Sequence, residues 1–314
     1  MEIFSVNFPS LAGNLLSPLF ALVFAPLLPG IINCVKAFFA GRKGPPLIQP
    51  YLEIIRLLQK CSVYSTSTSW IFRVAPVAVF AATLSATFFI PVTLWATPTA
   101  IPSDLVILLY LLAFARFFMI ISALDTASAF EGMGASREAF FSLMAEPVAF
   151  ICFINLMREA HTGSVAVALT SASLFTNSIS VILSALPFFI VLLAENARIP
   201  FDDPNTHLEL TMIHEVMILD NSGSGLALFE YAAAIKLWFF ALIIGRILLP
   251  VSAAHPLLQT LLLLGIVAGI AAAVGVVESV MARLRLLKVP QLLFGAGVAA
   301  LLGFFVSITG ALTW

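Results

Sequence analysis

What this sequence lacks most is charge. Lys, Arg, Asp and Glu make up 10% of it, against 61% hydrophobic residues; ordinary soluble domains carry about 25% charged residues. That shortage excludes a water-soluble fold of this length. The net charge is −1 and no basic stripe is present, so nothing marks a nucleic-acid surface. Cysteine is also scarce. Cys34, Cys61 and Cys152 are far apart, with no CxxC or Cys/His spacing, so the chain offers no framework of its own for an iron–sulfur cluster or nickel. Each reads as a small apolar packing residue. There is no P-loop, dinucleotide fingerprint or nucleophile–base pattern. No period repeats and no inverted repeat stands out, which speaks against common secondary-transporter folds. The opening "MEIFSVNFPS" has an acid and no basic n-region, so no cleaved signal peptide is expected.

What is present is apolar length. Mean hydropathy is +1.09, and apolar runs recur at the roughly 20-residue length that spans a bilayer as helix. The runs do not alternate as barrel strands would. The expected fold is therefore an all-α integral membrane protein with no separate soluble domain, a single transmembrane domain over residues 1–314. Eight spans are expected, at about 11–33, 70–95, 104–123, 139–157, 177–194, 226–250, 257–277 and 290–313. "GSVAVALTSASLFTN" between the fourth and fifth suits an extra half-helix. Basic residues set the orientation. Lys36, Arg42, Lys43, Arg56, Lys60, Arg73, Arg137, Arg198, Arg283, Arg285 and Lys288 follow spans 1, 3, 5 and 7, whereas the other side holds Arg158 and Arg246. The odd-numbered loops are expected in the cytoplasm and both termini outside.

Two of those loops have structure of their own. The first, about 34–69, contains "GRKGPPLIQPYLEIIRLLQK". Its Gly–Pro turn precedes Ile48, Tyr51, Leu52, Ile55 and Leu58 at helical spacing, with Glu53, Arg56 and Lys60 opposite. This predicts a short amphipathic helix, lying on lipid or docking a cytoplasmic partner. The second, about 195–225, holds Glu195, Asp202, Asp203, Glu209, Glu215 and Asp220, six of the chain's 16 acids. It also holds Phe201, Leu208, Leu210, Met212 and Ile213, too apolar for a solvated loop. It is expected to fold back into the bundle and carry its acids to the mouth of a cavity. His207 and His214 are seven residues apart and "HLELTMIHE" is not HExxH, so a metal site is not expected there.

Charges within spans are costly and usually functional. Arg116 and Glu146 lie inside spans three and four, Glu230 and Lys236 inside span six, and Asp125, Glu195 and Glu278 close spans. They suit either internal pairing that fixes helix packing or a buried, hydrated proton path with shifted pKa values.

Four stretches resemble one family in the right order: "GRKGPPLIQPYLEIIRLLQK", "ALDTASAFEGMGASREAFFSLMAEP", "ENARIPFDDPNTHLELTMIHEVMILDNSG" and "ESVMARLRLLKVPQLL". It is the eight-helix heel subunit of complex I and its relatives in membrane-bound [NiFe] hydrogenases, here the formate hydrogenlyase and hydrogenase-4 branch. The resemblance implies a non-catalytic subunit of an oxidoreductase complex in a bacterial or archaeal cytoplasmic membrane. It would link hydrogen/proton redox chemistry in a cytoplasmic arm to H⁺ or Na⁺ movement. Implied partners are a [NiFe] large subunit, an iron–sulfur small subunit, a ferredoxin-like subunit, antiporter-like membrane subunits and lipid. The [NiFe] centre and the clusters would sit in those partners, with no cofactor in this chain.

The resemblance assigns Glu146, Glu195, Arg198, Pro200, Phe201, Asp202, Pro204 and Glu209 to the family's coupling pattern. Asp203, Glu215, Glu230, Lys236, Arg116 and Asp125 join the expected path on local chemistry. Arg42, Lys43, Gly44, Pro45, Arg56, Arg283 and Arg285 form the expected docking surface. Asn205 and His207 replace glutamates of the complex I pattern. The quinone chamber is therefore expected to be narrowed by Leu208, Leu210, Met212 and Ile213. The alternatives are a quinone-chamber subunit of a complex I-like NADH:quinone oxidoreductase, a stand-alone transporter using Glu146, Glu230 and Lys236, and a passive anchor.

Overall fold

The computed structural model describes residues 8–92, 104–171, 179–202, 213–249, 256–282, 284 and 288–312. Its helices are α1 (Phe8–Phe24), α2 (Leu27–Phe39), α3 (Gln49–Leu58), α4 (Trp70–Thr87), α5 (Asp104–Asp125), α6 (Ala129–Glu159), α7 (Val165–Ser171), α8 (Ile179–Glu195), α9 (His214–Met217), α10 (Gly223–Leu248), α11 (Pro256–Val280) and α12 (Val289–Leu312). Seven segments are long and apolar enough to cross a membrane, and Val181–Glu195 is a shorter apolar helix. The seven fall on seven of the eight expected spans, and the shorter helix on the fifth. The first crossing is α1 and α2 in series, Leu16–Phe39. It is interrupted at Pro26, which has no N–H to donate. The fourth crossing differs from expectation. α6 starts ten residues before the expected 139 and covers 31 residues, because "AFEGMGASRE" is helical and not loop. The extra half-helix is α7.

α10 is the hub of the bundle. Its apolar window is 72% buried, against 28–50% for the other long spans. Helices α1, α2, α3, α4, α7, α8 and α11 all pack on it, while α6 and α12 pair with α8 on the far side. An apolar helix surrounded by helices, not lipid, accounts for its all-round hydrophobicity.

The first loop folds back along its own span. Arg42 N–H bonds to the Ala37 carbonyl at 3.0 Å, and Cys34 Sγ–H to the Pro45 carbonyl at 3.2 Å. A Cβ on Gly30 would lie 2.4 Å from the Leu47 carbonyl oxygen, so only glycine lets the returning strand lie on α2. Tyr51 in α3 then donates its hydroxyl to the Val23 carbonyl of α1. At the other end of α3, a Cβ on Gly223 would meet the Cys61 carbonyl oxygen at 2.7 Å, and this glycine also has φ +54°. The linked segment is held by Ser62–Ser224 at 2.9 Å and by Val63 N–H donating to Ser222 Oγ at 2.9 Å. α3 is thereby strapped against the first turns of α10.

Two glycines make a test of this strapping. Gly30→Val should lower the detergent melting temperature, since overpacking of this kind costs about 1–3 kcal/mol. Gly265→Ala, where nothing lies within 4 Å of the new Cβ, should leave it in place. Equal melting of the two variants would remove the close approach from the account.

Candidate functional site

Arg116 lies midway along α5 and is 7% exposed. Its guanidinium meets three carboxylates. Nη2–H donates to both Glu195 oxygens at 2.6 and 2.7 Å. Nη1–H donates to Glu146. Nε stands 3.7 Å from Glu138 Oε1, an ion pair and not a hydrogen bond. Lys236 of α10 completes the cluster, with Nζ 2.8 Å from Glu195 Oε2. Four helices thus contribute: α5, α6, α8 and α10. The planar five-donor fork of arginine suits such convergence, where lysine would serve one or two partners. Glu195 is the most enclosed, with its side chain 5% exposed, while that of Glu146 is 46% exposed.

A second ion-pair group lies nearer the α3 end. Glu278 of α11, its side chain fully enclosed, sits 2.8 Å from Lys36 Nζ and 3.5 Å from Arg198 Nη1. Arg198 also opens the acidic segment. Its carbonyl accepts from Phe201 N–H at 2.8 Å, and Pro200 accepts from Leu284 N–H at 3.1 Å. Asp202 is buried, and its Oδ2 accepts from Ile213 N–H at 2.8 Å and His214 N–H at 3.4 Å. The segment is therefore pinned at both ends, to α11 and to the start of α9.

Two cavities adjoin these groups. The outer one is about 510 Å³ and lies between α2, α3, α10 and the two described ends of the acidic segment. Lys36, Glu53, Arg56, Lys60, Arg198, Asp202, His214, Glu215 and Glu230 line it. The inner one, about 40 Å³, lies against Arg116, Glu195, Lys236 and His214, with room for about three waters at 10–15 Å³ each. α3 turns its charged face to the outer cavity. Its apolar face points away from the chain, with Ile48, Leu52 and Ile55 61%, 56% and 51% exposed.

The structure brings Arg116, Glu146, Glu195 and Lys236 together, and puts Arg198, Asp202, Glu215 and Glu230 around the outer cavity. Asp125 stands apart. Its Oδ2 accepts from Ser69 N–H at 2.7 Å just before α4, a helix-entry contact. Arg42, Lys43 and Gly44 are exposed, Arg56 is exposed to the cavity side, and Pro45 is half-buried. Asp203, Glu209, Arg283 and Arg285 lie outside the described residues, as do Leu208, Leu210 and Met212. Ile213, expected in the cavity, is 2% exposed and belongs to the apolar core, because Asp202 holds its backbone inward. Among the described residues the outer cavity is open. Sequence reasoning missed Glu138 and Lys36 as site residues, and named Glu278 as a span-closing charge without its partners. Glu138 and Glu146 are eight residues apart, so extending α6 by one turn toward its start would have put both within the same helix.

His214 and Glu215, both outside the spans, are shifted. Burial, helped by the Lys236 and Arg198 charges, pushes the His214 imidazole down to about 4. Burial, then the charges of Glu230 and Asp202, pushes the Glu215 carboxyl up to about 7, with Arg198 opposing.

A multi-pass helical bundle with a buried charge cluster beside a polar cavity is the class of membrane protein these features define. The comparisons with known proteins specify it further. The NADH dehydrogenase family model matches residues 14–308, and this chain belongs to that family. It is 32% identical to formate hydrogenlyase subunit 4 of Escherichia coli K12, over 95% of this chain and 98% of that protein. It is 31% identical to hydrogenase-4 component C of the same organism, over 78% of each. With NADH-ubiquinone oxidoreductase chain 1 of Arabidopsis thaliana it shares 30% identity over 67% of this chain and 69% of that one. The fold is shared with a chain of the membrane-bound sulfane sulfur reductase, an archaeal respiratory membrane complex. The TM-score there is 0.80 at 20% identity, covering 94% of this chain and 98% of the other.

The cluster geometry ranks its members. Removing one partner of a buried ion pair costs about 3–5 kcal/mol. Arg116→Gln, which strands three carboxylates, should destabilise most in detergent melting, Glu195→Gln next, and the half-exposed Glu146→Gln least. A reversed order would mean that Arg116 is not the centre. Glu215 yields a pH test. Below about 7 the folded chain holds a proton there that an ordinary carboxyl (4.5) has released, so unfolding loses a proton in that window. Stability should therefore fall as pH rises from about 4.5 through 7, and Glu215→Gln should flatten that slope. The infrared difference between wild type and E215Q should show a protonated-carboxyl band that disappears through about pH 7.

Proposed function

We propose that this chain is the membrane-anchoring and energy-coupling subunit of a multisubunit hydrogenase-type complex related to complex I. Hydrogen/proton redox chemistry in a cytoplasmic arm would be linked through it to H⁺ or Na⁺ translocation. The carrying observation is the succession of charged side chains from the outer cavity inward. Lys36 and Arg198, both paired with the enclosed Glu278, line it with Asp202, His214 and Glu215, and Lys236, Glu195, Arg116 and Glu146 lie beyond. So many paired charges in an apolar bundle exceed what packing needs, and they favour an electrostatic path over a passive anchor. The likeness to formate hydrogenlyase subunit 4 over nearly the whole chain supports the hydrogenase branch. The partners on this reading are a [NiFe] large subunit, an iron–sulfur small subunit, a ferredoxin-like subunit and antiporter-like membrane subunits. They hold the metal centres. The exposed Arg42 and Lys43 in the turn before α3 form the docking face, and the membrane is a prokaryotic cytoplasmic one.

A second reading keeps one observation in its favour. A polar cavity of about 510 Å³ falls within the size range of small-molecule sites, which suits a quinone-chamber subunit. Saturable reduction of short-chain quinones by the intact complex would promote that reading.

Copurification in mild detergent tests the leading one: a [NiFe] large subunit should come with this chain. Reversing charge at Arg42 and Lys43 to Glu should release the soluble arm while the membrane part stays assembled. An arm that stays bound at high salt removes the docking assignment. Glu146→Gln preserves shape and removes a proton site, so the assembled complex should move fewer ions per hydrogen turned over.

A further inference from the structure

The outer and inner cavities share three lining residues: Asn196, His214 and Ala233. The polar outer space and the Arg116–Glu195 cluster adjoin at these residues. Ala233 is inert. The Asn196 side-chain N–H₂ already donates to the Leu192 carbonyl at 2.8 Å, and an amide does not titrate. Its Oδ1 is buried with no hydrogen-bond partner, an acceptor kept at the junction for a donor. Among the described residues, His214 is the one ionisable side chain that faces both cavities.

We propose that His214 is the proton relay between the two cavities, working with Asn196 Oδ1 as the acceptor that orients a ring N–H or a bridging water. The inference rests on the coupling function proposed above and names the residue through which protons reach its charge cluster. A neutral imidazole carries one N–H and one acceptor nitrogen. It takes a proton from the outer side at the acceptor nitrogen and gives up the other nitrogen's proton to the inner side. One N–H bond forms and one breaks, and no electrons change hands. Exchange of the two tautomers resets it.

The surrounding charges suit transit and not storage. On the outer side stand Glu215, Asp202, Glu230 and Arg198, with Glu53, Arg56, Lys36 and Lys60 further along the wall. On the inner side stand Lys236, Arg116 and Glu195, with Glu138 beside Arg116. Burial first, then the Lys236 and Arg198 charges, oppose a lasting imidazolium and push the His214 imidazole down to about 4. Glu215, its neighbour in sequence, is half-protonated near pH 7 and is the donor on the outer side. The backbone fixes the ring's position: Asp202 Oδ2 accepts from Ile213 and His214 N–H, and α9 packs on α6 at Gly134. A proton delivered inward competes with Arg116 and Lys236 for the Glu195 carboxylate, which is how its arrival loosens the cluster.

The test uses the intact complex in proteoliposomes, with assembly checked by copurification. His214→Gln, His214→Ala and Glu195→Gln are compared with wild type for ions moved per hydrogen turned over. The proposal expects His214→Gln to lower this ratio at least about tenfold, since a positioned acid–base group contributes about 10²–10⁴-fold to its proton transfer. It expects added imidazole to restore the ratio in His214→Ala, with a pH dependence that follows the imidazole. If the His214 variants keep the wild-type ratio while Glu195→Gln loses it, the relay is wrong and the coupling function stands. If Glu195→Gln also keeps the ratio, the coupling function fails and the relay with it. A loss in His214→Ala that imidazole does not reverse means His214 only holds structure, and overturns the relay.

Discussion

The guanidinium of Arg116 is the constraint on which the rest depends. A permanently charged group in the middle of an apolar helix is tolerable only when paired and hydrogen-bonded. The chain answers with Glu195 from α8, Glu146 and Glu138 from α6, and Lys236 from α10 to balance the excess acid. Each pairing fixes the rotation of a helix about its axis. The hydrophobic effect alone would not, because in a bilayer an apolar helix face gains little by choosing protein over lipid. The same pairings leave small polar space beside them, since long side chains meeting head to head do not fill volume as leucines do. The inner cavity is that space.

The outer cavity follows from a different requirement. The segment from Arg198 to Ile213 leaves α8 and returns to α9, and its described ends are pinned by Glu278, Leu284 and Asp202. α3 is held opposite by the close approach at Gly30 and Gly223. Two elements strapped apart in this way leave a cavity lined by charged side chains between them. α3 is accordingly turned inside out relative to a helix on a soluble protein. Charges face inward to the cavity, and Ile48, Leu52 and Ile55 face outward, an orientation that suits lipid.

This inversion explains what the sequence could and could not disclose. A charge inside an apolar run or closing one is conspicuous, so Arg116, Glu146, Glu195, Lys236 and Glu278 were legible before any geometry. Glu138 and Lys36 were not: Glu138 lies in the part of α6 that read as loop, and Lys36 just past the expected first span, where charge is ordinary. Asp125 illustrates the reverse: it sits at a helix end too, and there it only receives the Ser69 N–H. The periodicity of α3 fixed its helical character but not which face turns inward, since the answer depends on whether its neighbour is water or lipid. The seven long apolar helices were legible from apolar length. The true start of α6 was not, because glycine and glutamate masked a helix that tertiary packing sustains. His214 was readable only as a poor metal ligand. Its place between two cavities is a property of the fold alone.

The central claim is that the Arg116 cluster passes the state of the redox arm to moving ions, beyond holding helices together. Arg116→Lys tests it most directly, because it keeps the charge and removes the fork that binds several carboxylates at once. The measurement is the number of ions moved across a proteoliposome membrane per hydrogen turned over by the assembled complex. The account predicts an assembled complex that turns over hydrogen with a clearly lower ratio. An assembled R116K complex that moves as many ions per hydrogen as wild type would contradict it.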